Sequence, residues 1–309
     1  MLEPSENSAL PRVTVIVPTY NWSTVLPYSI GSVLRQSFTD FEVLVVGDGC
    51  TDDSEQVVTA ITDPRVRWIN LPVNDGHQSA ANNEGLRQSR GSIIAYLGHD
   101  DLWLPHHLEM MVTAIDSGTD VANSIVHMIG AEGNILPPAG GIQRYQPGQW
   151  MPPTGVAHRR IATEIVGGWQ NYRNLSMDPE CDLWLRMYRA GLIFQSVHRL
   201  TVVKFPAAYR KDCYKRRSSD EQQQWTDRIL YEKDLEAVEL GKIAAEQGKI
   251  AGKLKESRKV TVGAAIRFSV GASIRFLLGP KNAAARRRRL EVQRPPGAMV
   301  RERRRFKGL

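Results

Sequence analysis

Short runs of β-branched and aliphatic residues recur from Val13 onward, each followed by a stretch whose apolar positions fall three or four residues apart. Val13-Thr14-Val15-Ile16-Val17 ends at Pro18 and predicts a strand buried on both faces. Between Pro27 and Gln36, Ile30, Val33 and Leu34 lie at helical spacing. Phe41 to Val46 predicts a second strand, and Val57, Val58 and Ile61 mark the helix after it, with Thr51 or Asp52 able to cap it. Val66 to Leu71, His77 to Ser89 and Ser92 to Leu97 then read as strand, helix and strand. Leu108, Met111, Val112 and Ile115 form a helical stripe of spacing i, i+3, i+4, i+7. Strands and helices that alternate this closely call for right-handed crossovers and a mostly parallel sheet flanked by helices, an α/β fold.

Further along the pattern loosens. Val121 to Val126 predicts a strand, and residues 134 to 153 are rich in Pro and Gly, as in a loop over one face or a linker. Asp182 to Tyr188 predicts a helix ended by Gly191, followed by strands over Ile193–Val197 and Thr201–Phe205. Ser218 to about Gln247 reads as one long polar helix.

In open sheets of this kind ligands bind beyond the carboxyl ends of the strands. That rule singles out Asp48, with Asp52 and Asp53, after the second strand, and Asp100 with Asp101 after the fourth. Crowded carboxylates need compensation by a cation, and Mg²⁺ or Mn²⁺ binds through one or two carboxylates plus substrate phosphates. The competing reading makes them turn formers and helix caps, which applies most to Asp52 and Asp53.

The ordered segments Val15 to Asn21, Gln36 to Glu42, Val45 to Asp52, Ala80 to Gly85, Tyr96 to Pro105, Val166 to Trp169 and Asp182 to Arg186 together resemble the family 2 glycosyltransferases. Those enzymes have the nucleotide-diphospho-sugar transferase fold called GT-A. The resemblance implies a GT-A domain over residues 12–215, with a donor half at 12–105 and an acceptor half at 106–215. It leaves 1–11 as a tail, 216–254 as a C-terminal helix and 255–309 as a basic, partly amphipathic extension. By the same resemblance Pro18, Thr19, Tyr20 and Asp48 line the nucleotide pocket. Asp100 and Asp101 hold a Mn²⁺ or Mg²⁺ on the donor diphosphate, and Asn83 fixes a loop or touches the donor. This sequence departs from the family pattern at Gly98-His99-Asp100, where D-x-D is usual, at Gly47, where a second aspartate is usual, and at Asn82, where an arginine is usual. His99 is then either a donor to the site or a surface histidine.

An inverting transfer needs a base for the acceptor hydroxyl. The family's acidic pair aligns with Pro179-Glu180, which makes Glu180 the first choice and Asp178 and Asp182 its rivals; as a helix-start residue Asp182 also suits the positive end of the dipole. His158 and Arg159 resemble a segment near the diphosphate or acceptor, with surface ion pairing as the alternative. Trp169 suits stacking on an acceptor sugar or anchoring of a loop. The implied partners are a nucleotide-diphospho-sugar donor and a glycan or glycolipid acceptor, as in polysaccharide or cell-envelope synthesis. A nucleotidyltransferase or a non-catalytic sugar-nucleotide binder of the same fold is the alternative.

Composition changes this picture at the C-terminus. The chain has 309 residues and a net charge of +7, but residues from Lys255 onward hold 16 Lys and Arg against 3 Glu, which leaves the first 254 residues with 24 basic and 30 acidic side chains. The stretch 258–289 alternates apolar and basic residues and predicts contact with an anionic membrane surface. Helix packing on the body is a competing reading. Nucleic-acid binding is the weaker one, since the tail holds no base-reading module. Three widely spaced cysteines, with no C-x-x-C pair, and a polar N-terminus without a signal-peptide pattern predict a cytoplasmic enzyme, peripheral at the inner face of the membrane.

Overall fold

The structure is a computed structural model that describes residues 10–141, 144–260 and 295–309, with the side chains of 250–260 excepted. β1 (Val13–Thr19), α1 (Leu26–Leu34), β2 (Phe41–Gly47), α2 (Ser54–Thr59), β3 (Val66–Asn70), α3 (Gln78–Gln88) and β4 (Ile93–Tyr96) reproduce the expected alternation. They are followed by β5 (Leu102–Trp103), α4 (His107–Asp116), β6 (Val121–Ile129), β7 (Ile135–Ala139), β8 (Val156–Arg159), α5 (Arg160–Val166), α6 (Pro179–Arg189) and β9 (Phe194–Lys204). Helices α7 (Cys213–Arg216), α8 (Asp220–Tyr231), α9 (Leu235–Val260) and α10 (Ala298–Lys307) complete the described chain.

All strands join one sheet in the order β3-β2-β1-β4-β8-β6-β9-β5, with β7 on β6. β3, β2, β1 and β4 are parallel, as expected. Beyond β4 the sheet is mixed, because β8 runs antiparallel to both β4 and β6 while β9 runs parallel to β6. The chain winds outward from β1 to β3 and then returns to the other side of β1 with β4. The β1/β4 boundary is therefore the switch point where such sheets open a crevice.

The strand sequences are apolar on both faces because both faces are covered. Val13, Val15 and Val17 pack with Leu26, Ile30, Leu108, Met111 and Ile115 from α1 and α4. Ile16, Leu44 and Tyr96 face Ala81, Trp169, Trp184 and Met187 on the α3 and α6 side. Each such fully buried aliphatic side chain contributes roughly 1.5–3 kcal/mol relative to exposure. A third cluster sets Leu102, Phe205 and Leu200 against Trp225, Leu240 and Ile243 of α8 and α9.

Several elements depart from the sequence pattern for local reasons. The Pro- and Gly-rich loop contains β7, an edge strand on β6 that tolerates Pro137 and Pro138 because an edge needs only part of its hydrogen bonding. The two strands expected between residues 193 and 205 form one strand, whose register slips between Ser124 and Val126 of its partner. The long polar helix is two helices, broken where Asp234 takes φ 55°. His127 on β6 meets Glu239 of α9 at 2.9 Å, and Arg228 of α8 meets the same carboxylate at 2.6 Å, so buried charge pins both helices to the sheet. Gly191, with φ 83°, ends α6 as expected. Among the described residues no helix is long and apolar enough to cross a membrane. The stretch 258–289 expected to meet a membrane lies, after Val260, outside the described residues.

His107 reports on the packing of α4. It stacks on Trp103 at 4.2 Å with Nδ1 2.7 Å from Thr201 Oγ1, and burial pushes its pKa down to about 3. The unfolded chain takes up a proton near pH 6.5 that the folded chain refuses, so this residue withdraws stability as pH falls below about 6.5. At pH 5 the withdrawn stability is about 2 kcal/mol. Urea unfolding at pH 7.5 and pH 5 is therefore expected to show a smaller pH-induced loss in His107→Gln than in the wild type; equal losses would mean that His107 does not carry the effect.

Candidate active site

A cavity opens beyond the carboxyl ends of β1, β2 and β4. Pro18, Thr19 and Tyr20 line it from the end of β1, Asp48 from the end of β2, and Gly98 to Asp101 from the turn after β4. Trp150 lines it from the loop before β8 and Glu180 from the start of α6, together with Lys204 at the end of β9 and with Val300, Arg303, Arg304 and Lys307 of α10.

Asp48 is buried, and its carboxylate organises the next loop. It accepts hydrogen bonds from Asn74 Nδ2 at 2.9 Å, Asp75 N at 2.9 Å and Gly76 N at 3.1 Å. Burial outweighs these bonds and raises its pKa. The same turn leaves no room for a side chain at Gly49, which has φ +68° and where a Cβ would meet Asn74 N at 2.5 Å. His99 is also buried, held between Thr19 Oγ1 at 3.0 Å and the Tyr214 hydroxyl at 3.3 Å, so it is not a surface histidine. Desolvation lowers its pKa to about 4, which keeps it neutral at pH 7.

Asp100 and Asp101 are adjacent in sequence and different in surroundings. Asp101 pairs with Lys204 Nζ at 2.8 Å and accepts from Phe205 N at 3.1 Å, which fastens the turn to β9. Gly98 belongs to this arrangement, because a Cβ there would lie 2.6 Å from Asp101 Oδ2. Asp100 makes no ion pair among the described residues, while Gln222 of α8 bonds its carbonyl at 3.0 Å. Burial raises its pKa, with Lys204 and then Lys307 acting against the rise.

The three carboxylates near the start of α6 separate in the same way. Pro179 occupies the helix start, where its missing N–H costs nothing. Asp178 precedes it and is bound by Arg303 at 2.7 Å; burial and then Glu180 raise its pKa. Asp182 holds Arg186 Nε at 2.8 Å, and that guanidinium donates to the carbonyls of Val166 and Gly168. Glu180 alone of the three lines the cavity, with Trp150 Nε1 donating to Oε1 at 2.8 Å.

A profile of the family described as Glycosyl transferase family 2 matches residues 14–173, just over half of the chain. The chain belongs to that family. A succinoglycan biosynthesis protein of Rhizobium meliloti is 35% identical over 136 residues, which cover 44% of this chain and 39% of that protein. A UDP-Glc:α-D-GlcNAc-diphosphoundecaprenol β-1,3-glucosyltransferase of Escherichia coli is 31% identical over 118 residues, 38% of this chain and 44% of the relative. The match thus spans less than half the length of either. The fold resembles that of S. aureus TarS 1-349 in complex with UDP-GlcNAc, with a TM-score of 0.54 and 20% identity over 76% of this chain and 71% of that one.

Set against this family 2 fold, the expected site residues fall into two groups. Pro18, Thr19, Tyr20, Asp48, Asp100, Asp101 and Glu180 converge on the cavity. Asn83, His158, Arg159 and Trp169 do not line it. Asn83 clamps the Trp169 backbone from both sides, accepting from its N–H and donating to its C=O at 2.9 Å each. Trp169 is buried beside Tyr96 and Trp184, which leaves no ring face for a sugar. Its Nε1–H donates to the Tyr96 hydroxyl at 3.2 Å, and that hydroxyl lies 3.0 Å from His158 Nε2. His158 Nδ1 lies 2.8 Å from the Arg159 carbonyl, so this nitrogen carries the proton and Tyr96 donates to the other. Arg159 reaches back to Asp120 and to the Ile115 carbonyl.

Sequence reasoning missed Trp150, Lys204, Tyr214 and the α10 cations. Lys204 carried a signal, since it is a cation at the end of a predicted strand. The others lay in a loop or in a charge run with several equally good readings. If Asp101 is a structural anchor for Lys204, removing its charge strands a lysine that is largely shielded from water. Asp101→Asn is therefore expected to lower unfolding stability by about 3 kcal/mol. A chemical-denaturation curve that matches wild type would contradict that assignment.

Proposed function

We propose that the protein is an inverting glycosyltransferase that moves a sugar from a nucleoside-diphospho-sugar to a hydroxyl of a glycan or lipid-linked acceptor. The single observation that carries this reading is the position of Glu180, a carboxylate without a cation partner among the described residues, in the same cavity as the family's nucleotide-binding strand ends. The proposed setting is cell-envelope or surface polysaccharide synthesis at the cytoplasmic face of a membrane. The succinoglycan role of one relative and the diphosphoundecaprenol-linked substrate of the other support that setting.

Inversion needs a single displacement. The acceptor oxygen attacks the anomeric carbon, the bond to the diphosphate breaks with its electron pair leaving on the diphosphate, and the acceptor proton passes to the base. Trp150 fixes one Glu180 oxygen by hydrogen bonding, which leaves the second oxygen to take that proton. Asp178 is held by Arg303 and Asp182 by Arg186, so neither competes for the task. Asp48 shapes the nucleotide pocket through the 74–76 loop.

The residues fit a divalent cation in a restricted way. Among the described residues no group of three His, Cys, Asp or Glu could hold a metal by itself. Asp101 is committed to Lys204, whereas Asp100 makes no ion pair among the described residues and lines the cavity. One carboxylate plus the donor's own phosphates suits a hard ion that arrives with its substrate. Asp100 would then hold Mg²⁺ or Mn²⁺, which when bound takes up charge from the departing diphosphate.

Two variants test these roles. Glu180→Gln is expected to bind donor as the wild type does and to lose roughly 10²- to 10⁴-fold in turnover, measured as release of free nucleoside diphosphate with glycosylated acceptor. Turnover near wild type would remove Glu180 from the mechanism. Asp100→Asn is expected to raise the Mn²⁺ concentration needed for half-maximal donor binding, and an unchanged metal titration would remove Asp100 from the metal site.

A further inference from the structure

Helix α10 lies more than a hundred residues beyond the segment that matches the family, yet it forms part of the cavity wall. Its placement is fixed by specific contacts. Gly297, at φ 73°, bonds the Leu175 carbonyl at 2.8 Å and starts the helix, and Phe306 O accepts from Asp212 N at 2.9 Å near its end. Arg304 donates to the Gly76 carbonyl, on the loop that Asp48 also holds, while Arg303 pairs with Asp178 two residues before Glu180. The helix thus bridges the nucleotide side of the cavity and the side that carries the proposed base.

The charge balance of the cavity depends on this helix. The lining carries four carboxylates, Asp48, Asp100, Asp101 and Glu180, and four cations, Lys204, Arg303, Arg304 and Lys307. Three of those cations come from α10. Without them the lining would hold four carboxylates against Lys204 alone, a field that repels a diphosphate. Arg303 is spent on Asp178 and Lys204 on Asp101. Lys307 has no ion-pair partner among the described residues; burial lowers its pKa, and Asp100 is the charge that most opposes that fall. Lys307 and Asp100 line the same cavity, and a lysine there without an ion pair among the described residues stands where the donor's phosphate charge is expected. The arginine usual in the family at Asn82 is missing, and that position is buried away from the cavity wall.

We infer that Lys307, with Arg304 beside it, binds the donor diphosphate, so that the C-terminal helix supplies the cationic part of the donor site that the matched domain lacks. This rests on the donor-site reading above. The neighbouring surface depression shares Tyr20, Tyr214 and Arg304 with the cavity and adds Arg217 and Lys215, the latter paired with Asp212 at 3.0 Å.

Calorimetric titration of the full-length protein in Mn²⁺ with UDP, GDP and dTDP, then with the matching nucleoside monophosphate, separates the possibilities. For the base that binds, Lys307→Met is expected to weaken the diphosphate at least about tenfold and the monophosphate by less than about threefold. Lys307→Arg is expected to keep wild-type affinity. Arg304→Gln is expected to weaken the diphosphate in the same direction, and it serves as the test if Lys307→Met does not fold. Equal or tighter diphosphate binding by Lys307→Met, as a helix that merely plugs the cavity would give, overturns the inference and leaves the donor site standing. Equal losses in Lys307→Met and Lys307→Arg overturn it as well, since charge would not be the cause. Wild-type protein that binds none of the three diphosphates contradicts the donor-site reading itself.

Discussion

Four carboxylates brought to one cavity repel one another unless something positive stands among them. Parallel strands create this problem by their geometry, because β1, β2 and β4 all end on the same side and deliver Asp48 and Asp100 to a common crevice. Backbone N–H groups of the 74–76 loop receive Asp48, Lys204 receives Asp101, and Asp100 is left without an ion-pair partner among the described residues. Asp100 and Glu180 make no ion pair among the described residues, and the proposed chemistry is assigned to them.

The same logic explains why neighbouring residues of one type take different roles. Asp100 and Asp101 differ by one position, and Asp178, Glu180 and Asp182 by two. In each set the residue with a close cation fastens two elements together, as Asp182 does through Arg186 to the loop before Trp169. The member with no ion pair among the described residues lines the cavity, where Asp101 lies as well. A carboxylate already held by a guanidinium is a poor proton acceptor, so pairing as well as position decides which of them can act as a base.

The donor half was legible because buried parallel strands write themselves as continuous β-branched runs, and their ends point to Asp48 and Asp100 without further information. The other half was harder to read. β8 is four residues with a central histidine, and β7 contains two prolines, so neither carries the alternation that marks an antiparallel strand. His158 was drawn toward the diphosphate or acceptor by resemblance to a family segment and Trp169 toward the acceptor by its ring, whereas the fold spends them on a hydrogen-bonded aromatic cluster around Tyr96. Nothing local separates Asp100 from Asp101, since the difference arrives with Lys204 about a hundred residues later. The basic tail was ambiguous for a related reason. A run of Arg and Lys suits a membrane surface or packing on the body, and less well a nucleic acid, until its position is known, and Val300, Arg303, Arg304 and Lys307 line the cavity.

The central claim is that a nucleoside-diphospho-sugar occupies the crevice at the ends of β1, β2 and β4, between Asp100 and helix α10. A crystal structure of the full chain with a bound nucleoside diphosphate and Mn²⁺ tests it most directly. The account predicts the base beside Pro18 to Tyr20 and the diphosphate between Asp100 and Lys307, with Glu180 facing the position of the transferred sugar. A diphosphate seated away from these strand ends would contradict it.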